Sequence, residues 1–155
     1  MGNKIKRCVI VSGAPEADLS FLENNIIEND YVICADSGYK KCIQIGIVPD
    51  LIIGDFDSSL KPDLPCEIIT LNREKAYTDT FHCVIEAVER GYKNIIIFGA
   101  IGDRFDHTYA NILCLNYCLK NSVQCCIANQ KNRISLIKNE KRINRDYKNF
   151  SLFAF

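Results

Sequence analysis

The chain has 155 residues and a mass of 17.6 kDa, with 48% hydrophobic and 25% charged side chains, the makeup of one folded domain with a core of its own. Lysine plus arginine number 19 against 19 aspartates and glutamates, so no net field draws nucleic acid or an anionic membrane, and neither is expected as a partner. No apolar run approaches the roughly 20 residues that span a bilayer.

Lys6 stands where a myristoylation signal after Met1-Gly2 would need serine or threonine, and no signal-peptide core follows. The nine cysteines are odd in number and include no Cys-x-x-Cys pair, which reads as a reduced, cytoplasmic protein. Cys8, Cys34, Cys83, Cys125 and Cys126 lie in apolar runs, where free cysteine packs as a small hydrophobe. Cys114 and Cys118 share a helical face; buried packing outweighs a two-ligand metal site there.

In chain order, Cys8 to Val11 is an apolar strand that delivers the turn Ser12-Gly13-Ala14-Pro15. Leu19, Leu22 and Ile26 recur at helical spacing within Ala17 to Ile27. Tyr31 to Ala35 is the next strand, ending in Asp36-Ser37-Gly38, and a short helix from Tyr39 to Ile45 leads through Gly46 to the Pro49 turn. The strand Leu51-Ile52-Ile53 then delivers Gly54, Asp55, Phe56 and Asp57; Pro62 and Pro65 precede a strand from Glu67 to Leu71. Thr78 is a natural N-cap with Asp79 in the first turn, and Phe81, Val84, Ile85 and Val88 form one apolar stripe that Gly91 closes. Asn94 to Phe98 is the most hydrophobic strand and runs into Gly99-Ala100-Ile101-Gly102. Asp106 is expected to cap a helix carrying Ile112, Leu115 and Leu119, and Val123 to Ala128 is one more strand.

This alternation predicts an α/β fold, a mostly parallel sheet with helices on both faces, three-layered and Rossmann-like. Residues 1–132 form the expected catalytic domain. Residues 133–155 are expected to be a connection with alternating charges and the first strand, Phe150 to Phe155, of a C-terminal β domain cut short.

Ligands of such sheets bind beyond the carboxyl ends of the strands. Four of the strands end in turns rich in glycine or aspartate: Ser12-Gly13, Asp36-Ser37-Gly38, Gly54 to Asp57, and Gly99 to Gly102. Glycine lets a phosphate approach the backbone, and carboxylates are hard oxygen ligands suited to Mg²⁺. If the extended backbone continues past Gly54, Asp55 and Asp57 point the same way, a pair that a cation would reconcile. Taken alone, the same residues read equally as a strand followed by a polar turn. No Walker A lysine loop is present, and Gly99 to Gly102 is not a dinucleotide fingerprint.

Four motifs in register resemble the thiamine pyrophosphokinase family: Ala35-Asp36-Ser37-Gly38, Pro49-Asp50 through Gly54-Asp55-Phe56-Asp57-Ser58, Thr78-Asp79, and Gly99 through Gly102-Asp103-Arg104-Phe105-Asp106-His107. The resemblance covers Cys8 to Asn132. It implies transfer of the pyrophosphoryl group of ATP to the hydroxyl of thiamine, giving thiamine diphosphate and AMP, with Mg²⁺, in a cytoplasmic homodimer.

It further implies Asp36, Asp55, Asp57 and Asp79 as metal-linked carboxylates, with Asp55, Asp57, Asp79 and Arg104 catalytic. Ser12, Gly13, Asp36, Gly38, Gly54, Thr78, Gly99, Gly102, Arg104, Asp106 and His107 would surround ATP and its phosphates. Either Asp55 or Asp57 could take the hydroxyl proton, and His107 is as readily a satisfied helix-terminal residue as a substrate contact. Ser37, Asp103 and Ala76 depart from the family's usual glycine, glycine and aspartate; Ser37 is a mild change if its φ is negative. A pterin acceptor and a non-catalytic ATP- and Mg²⁺-binding module are the alternatives.

Overall fold

A computed structural model describes residues 6–15, 17–57, 60–72, Glu74, 76–139, 141–144 and 146–154. Its strands are β1 (Arg7–Val11), β2 (Tyr31–Ala35), β3 (Leu51–Gly54), β4 (Glu67–Thr70), β5 (Asn94–Phe98), β6 (Gln124–Ala128) and β7 (Arg133–Ile134). The helices are α1 (Leu19–Asn25), α2 (Gly38–Gln44), α3 (Asp79–Glu89) and α4 (Phe105–Lys120). The strands form one sheet in the order β4-β3-β2-β1-β5-β6-β7, parallel except for β7, which pairs antiparallel with β6.

Because β1, β2, β3 and β5 are covered on both faces, they read as apolar runs rather than as alternating patterns, whereas β4, at the sheet edge, has no buried residue. Cys8, Ile10, Ile33, Ile53, Ile95, Ile97 and Ile127 pack with Cys83, Val84, Cys114 and Leu115 of α3 and α4. Their sequence neighbours Val9, Val11, Val32, Ile52, Ile96 and Phe98 pack with Leu22 of α1 and Cys42 of α2 on the other face. Such two-sided burial is the three-layer arrangement expected from the sequence. The strand from Leu51 lies second from one edge; β1 occupies the middle. Strand order reverses beside β1, so the crevice between β1 and β5 is the topological switch point.

The helix ends follow their local chemistry. Asp18 caps α1, its carboxylate accepting the Phe21 amide at 3.1 Å, and Thr78 caps α3 by accepting the Phe81 amide at 3.2 Å. Helix α4 corrects the expected cap: Arg104 is the N-cap, and Asp106 sits in the first turn, where its charge favours the helix N-terminus. Helices α2, α3 and α4 each end on a left-handed residue, Gly46, Gly91 and Ser122, whose amide and the next bond back into the last turn.

The expected strand at Phe150 to Phe155 is absent among the described residues. Residues 150–154 carry no strand and are exposed, while Phe155 lies outside the described set. Backbone pairing past Ala128 instead comes from β7, two residues long, and the Tyr147 hydroxyl donates to the Asn129 carbonyl at 2.9 Å. No helix among the described residues is long and apolar enough to cross a membrane.

Candidate active site

Parallel strands end on a common edge, so the glycine- and aspartate-bearing turns gather there around the β1–β5 switch point. They are drawn tight by backbone contacts that only glycine allows. A Cβ on Gly38 would fall on the Val11 carbonyl, which presses the start of α2 against the end of β1. Gly99 has φ +63° and the Ser12 carbonyl in the place of a Cβ, while its own carbonyl accepts the Ala14 amide at 2.9 Å. Gly13 lies under the Ser37 hydroxyl, 2.7 Å from where a Cβ would sit. Ser37 has φ −66°, so its departure from glycine costs no backbone strain.

Asp36 takes a left-handed conformation, φ +43°, and its amide donates to the Ile53 carbonyl at 2.8 Å. Gly54 faces it: a Cβ there would lie 3.3 Å from the Asp36 carboxylate oxygen. The Asp36 carboxylate is thereby held beside the Gly54 backbone, one residue before Asp55. Beyond Gly54 the extended backbone stops. Phe56 turns left-handed with φ +53° and packs its ring into the α1–α2 side of the core, and Asp55 Oδ1 accepts the Asp57 amide at 3.3 Å. Asp55 and Asp57 therefore flank a tight turn, and the premise of a continued strand face does not hold. Ser58 lies outside the described residues.

Thr78 and Asp79 open α3 at the same edge. The Ser12 hydroxyl is buried and sits 2.5 Å from the Thr80 hydroxyl, which joins the end of β1 to that helix start. On the β5 side, Asn111 donates to the Ala100 carbonyl at 2.9 Å, and the Thr108 hydroxyl accepts the Gly102 amide at 3.2 Å. Arg104 presents both arms of its guanidinium to Asp106, at 3.2 and 2.6 Å, and this charge pair holds the Asp106 carboxyl below the usual carboxylate range. Both side chains are about two-thirds exposed, at 70% and 65%, and His107 beside them is exposed too. Arg104, Asp106 and His107 thus form an outer corner, while Asp36, Gly54 and Asp55 lie closer to the sheet.

Among the described residues, no three His, Cys, Asp or Glu side chains stand together as a metal site. The donor chemistry still suits a hard cation: carboxylates come from the ends of β2 and β3 and from the start of α3, and Mg²⁺ needs only one or two of them besides phosphate and water. Asp50, part of the same sequence motif, lies at the opposite edge, where Asp50 Oδ2 accepts the Val32 amide at 2.7 Å. Sequence reasoning missed Thr80, Thr108 and Asn111. The only local signal was a lone polar side chain, Asn111, on an otherwise apolar helix face.

Comparison with known proteins agrees with this architecture. The family model described as "Thiamin pyrophosphokinase, catalytic domain" matches residues 22–127. A thiamine pyrophosphokinase of Bacillus subtilis is 27% identical over 161 residues, covering 97% of this chain and 75% of that protein. The crystal structure of thiamine pyrophosphokinase from Bacillus subtilis superposes with a TM-score of 0.74 at 26% identity, covering 84% of this chain and 64% of that one. A thiamin pyrophosphokinase from Geobacillus thermodenitrificans gives a TM-score of 0.70, again at 26% identity, over 83% and 62% of the two chains. The chain therefore spans slightly under two thirds of the length of these crystallised relatives.

Proposed function

The chain belongs to the thiamin pyrophosphokinase family, and from that premise we propose that it transfers the pyrophosphoryl group of ATP to the hydroxyl of thiamine, releasing AMP. The observation that carries this reading is the gathering of the Ser12, Asp36, Gly54 and Gly99 turns on one sheet edge around the β1–β5 crevice. Phosphoryl transfer asks a protein mainly for positioning and for neutralisation of developing charge. The turns at Gly13, Gly38, Gly54, Gly99 and Gly102, drawn together at that edge, would line the phosphate chain with backbone. Thr78 and Asp79 set the start of α3 beside it.

Asp36, Asp55, Asp57 and Asp79 are the residues that would hold Mg²⁺, whose charge would offset that of the phosphates. Arg104 would exchange Asp106 for a phosphate, an exchange made cheap by the exposure of their pair. Asp55 or Asp57 would accept the hydroxyl proton. His107 would reach the outer end of the nucleotide. We place the protein in the cytoplasm as a homodimer, with residues 1–132 as the ATP- and Mg²⁺-binding domain.

The family match supports thiamine over a pterin acceptor. Incubation with ATP, Mg²⁺ and thiamine is expected to release AMP and thiamine diphosphate, with no AMP when a hydroxymethylpterin replaces thiamine. AMP release with the pterin alone would overturn the acceptor, and ATP binding without any AMP would reduce the chain to a binding module.

A further inference from the structure

The two hydroxyls of Ser12 and Thr80 lie 68 positions apart in sequence and 2.5 Å apart in space, both buried, at 7% and 5% exposure. Ser12 is fixed on its own side by β5: its amide donates to the Phe98 carbonyl at 2.8 Å, and its carbonyl fills the space over Gly99. Its side chain is the remaining free group, and it is spent on α3. Thr80 is the second helical residue of α3, directly after Asp79. Within the helix that first turn is held by the Thr78 cap on Phe81, and its buried apolar anchors, Cys83 and Val84, come only one turn later.

We propose that Thr80 is a positioning residue for pyrophosphoryl transfer: its hydroxyl, locked on Ser12, fixes the start of α3 and hence Asp79 against the β1–β5 crevice. This rests on the function proposed above. The pair is a polar clasp where an apolar contact would have sufficed for packing alone. A hydroxyl pair fixes direction as well as distance, which an apolar contact does not.

The test uses Thr80→Val, which keeps shape and loses the hydroxyl, Thr80→Ser, which keeps the hydroxyl, and the double variant Ser12→Ala/Thr80→Val. Thr80→Val is expected to lower kcat for AMP release by ~10-fold with little change in the KM for ATP, since a small misplacement of a bound group acts on the chemical step. Thr80→Ser should restore the parent rate. In Thr80→Val the Ser12 hydroxyl is left buried without its partner, so the melting temperature falls; removing both hydroxyls should bring it back towards the parent.

The double variant is therefore expected to regain stability while kcat stays low. Recovery of kcat together with stability would overturn the proposal and leave the pair a packing contact. So would a KM for ATP higher in the double variant than in Thr80→Val, which would put the Ser12 hydroxyl on the phosphates. If the parent chain releases no AMP, the proposed function fails by itself, and amide exchange decides the inference. The Phe81 and His82 amides should then exchange ~10-fold faster in the double variant while those of β5 do not change. Unchanged exchange at α3 would overturn it.

Discussion

At Phe56 the backbone turns left-handed, and that one angle decides how the carboxylates beside it are used. Asp55 Oδ1 accepts the Asp57 amide, so the Asp55 carboxylate takes part in the turn itself. Asp55→Asn and Asp57→Asn each keep an acceptor oxygen and lose a charge. Mg²⁺-ATP binding, read by calorimetry, should weaken by roughly 10²-fold in either variant if that carboxylate faces the metal. Asp55→Ala should in addition lower the melting temperature, because the turn loses its acceptor. A melting temperature for Asp55→Ala equal to that of Asp55→Asn would separate Asp55 from the turn. Arg104→Lys tests a different property of the site. Lysine keeps the charge but not the planar fork, so ATP should still bind while AMP release falls. A lysine variant with the parent's rate would make Arg104 a point charge only.

Among the elements, the helix ends make the clearest quantitative statement. Ser122 occupies, at φ +55°, the place that Gly46 and Gly91 fill at the ends of α2 and α3. A left-handed side chain costs about 1–2 kcal/mol, and glycine gives back about 0.5–1 kcal/mol of that in unfolded-chain entropy. Ser122→Gly should therefore stabilise the fold by up to about 1 kcal/mol, seen as a higher urea midpoint at unchanged slope. Thr78→Ala, which removes the cap from the Phe81 amide, should cost about 1 kcal/mol.

The two ends of α3, at Thr78 and Gly91, were legible in the sequence because capping is local, whereas the Ser122 end of α4 was not, and the N-cap of α4 is Arg104 rather than the expected Asp106. Equally legible were β1, β2, β3 and β5, whose two-sided burial leaves apolar runs, and so were the glycine and aspartate turns behind them. The Ser12–Thr80 bond was not legible, since it joins residues far apart with nothing periodic between them. The turn at Phe56 escaped too, because the angle that breaks the strand belongs to a residue whose ring still packs in the core. The strand expected near Phe150 rested on apolar composition alone. No described partner covers that stretch, and the sheet edge went to Arg133–Ile134 instead.

Across the whole molecule, the edge opposite the site is built from charge. Arg90 bonds Glu86 at 2.7 Å, Glu67 at 2.8 Å and the Tyr31 hydroxyl at 2.7 Å, tying α3 to β4 and β2, and Arg7 holds Asp30 near the start of β2. The core between the edges is rich in thiols, all nine of them free. Burial raises the pKa of Cys8, Cys34 and Cys83, and that of Cys114 to about 12. The unfolded chain ionises these thiols near the ordinary value of 9.0, and the folded chain resists. Below pH 9 their contribution to stability is complete. It is lost as the pH rises from 9 towards the folded values, by about 1.4 kcal/mol per pH unit for each thiol. Urea midpoints taken under reducing conditions should fall steeply above pH 9, and Cys114→Ala should flatten that slope. A flat profile between pH 8 and 10.5 would remove the thiols from the balance.

The Ser12 carbonyl seated over Gly99 has a consequence for how the protein can vary. In a saturation library selected only for soluble folded protein, position 99 should return glycine alone, since every other residue meets both a positive φ and a backbone oxygen. Position 91 has a still larger φ of +86° but open space around it, and should also admit asparagine. One site would be closed by its neighbours, the other only by its own torsion. Sequence drift at the two would then separate what the crevice forbids from what a helix end merely disfavours.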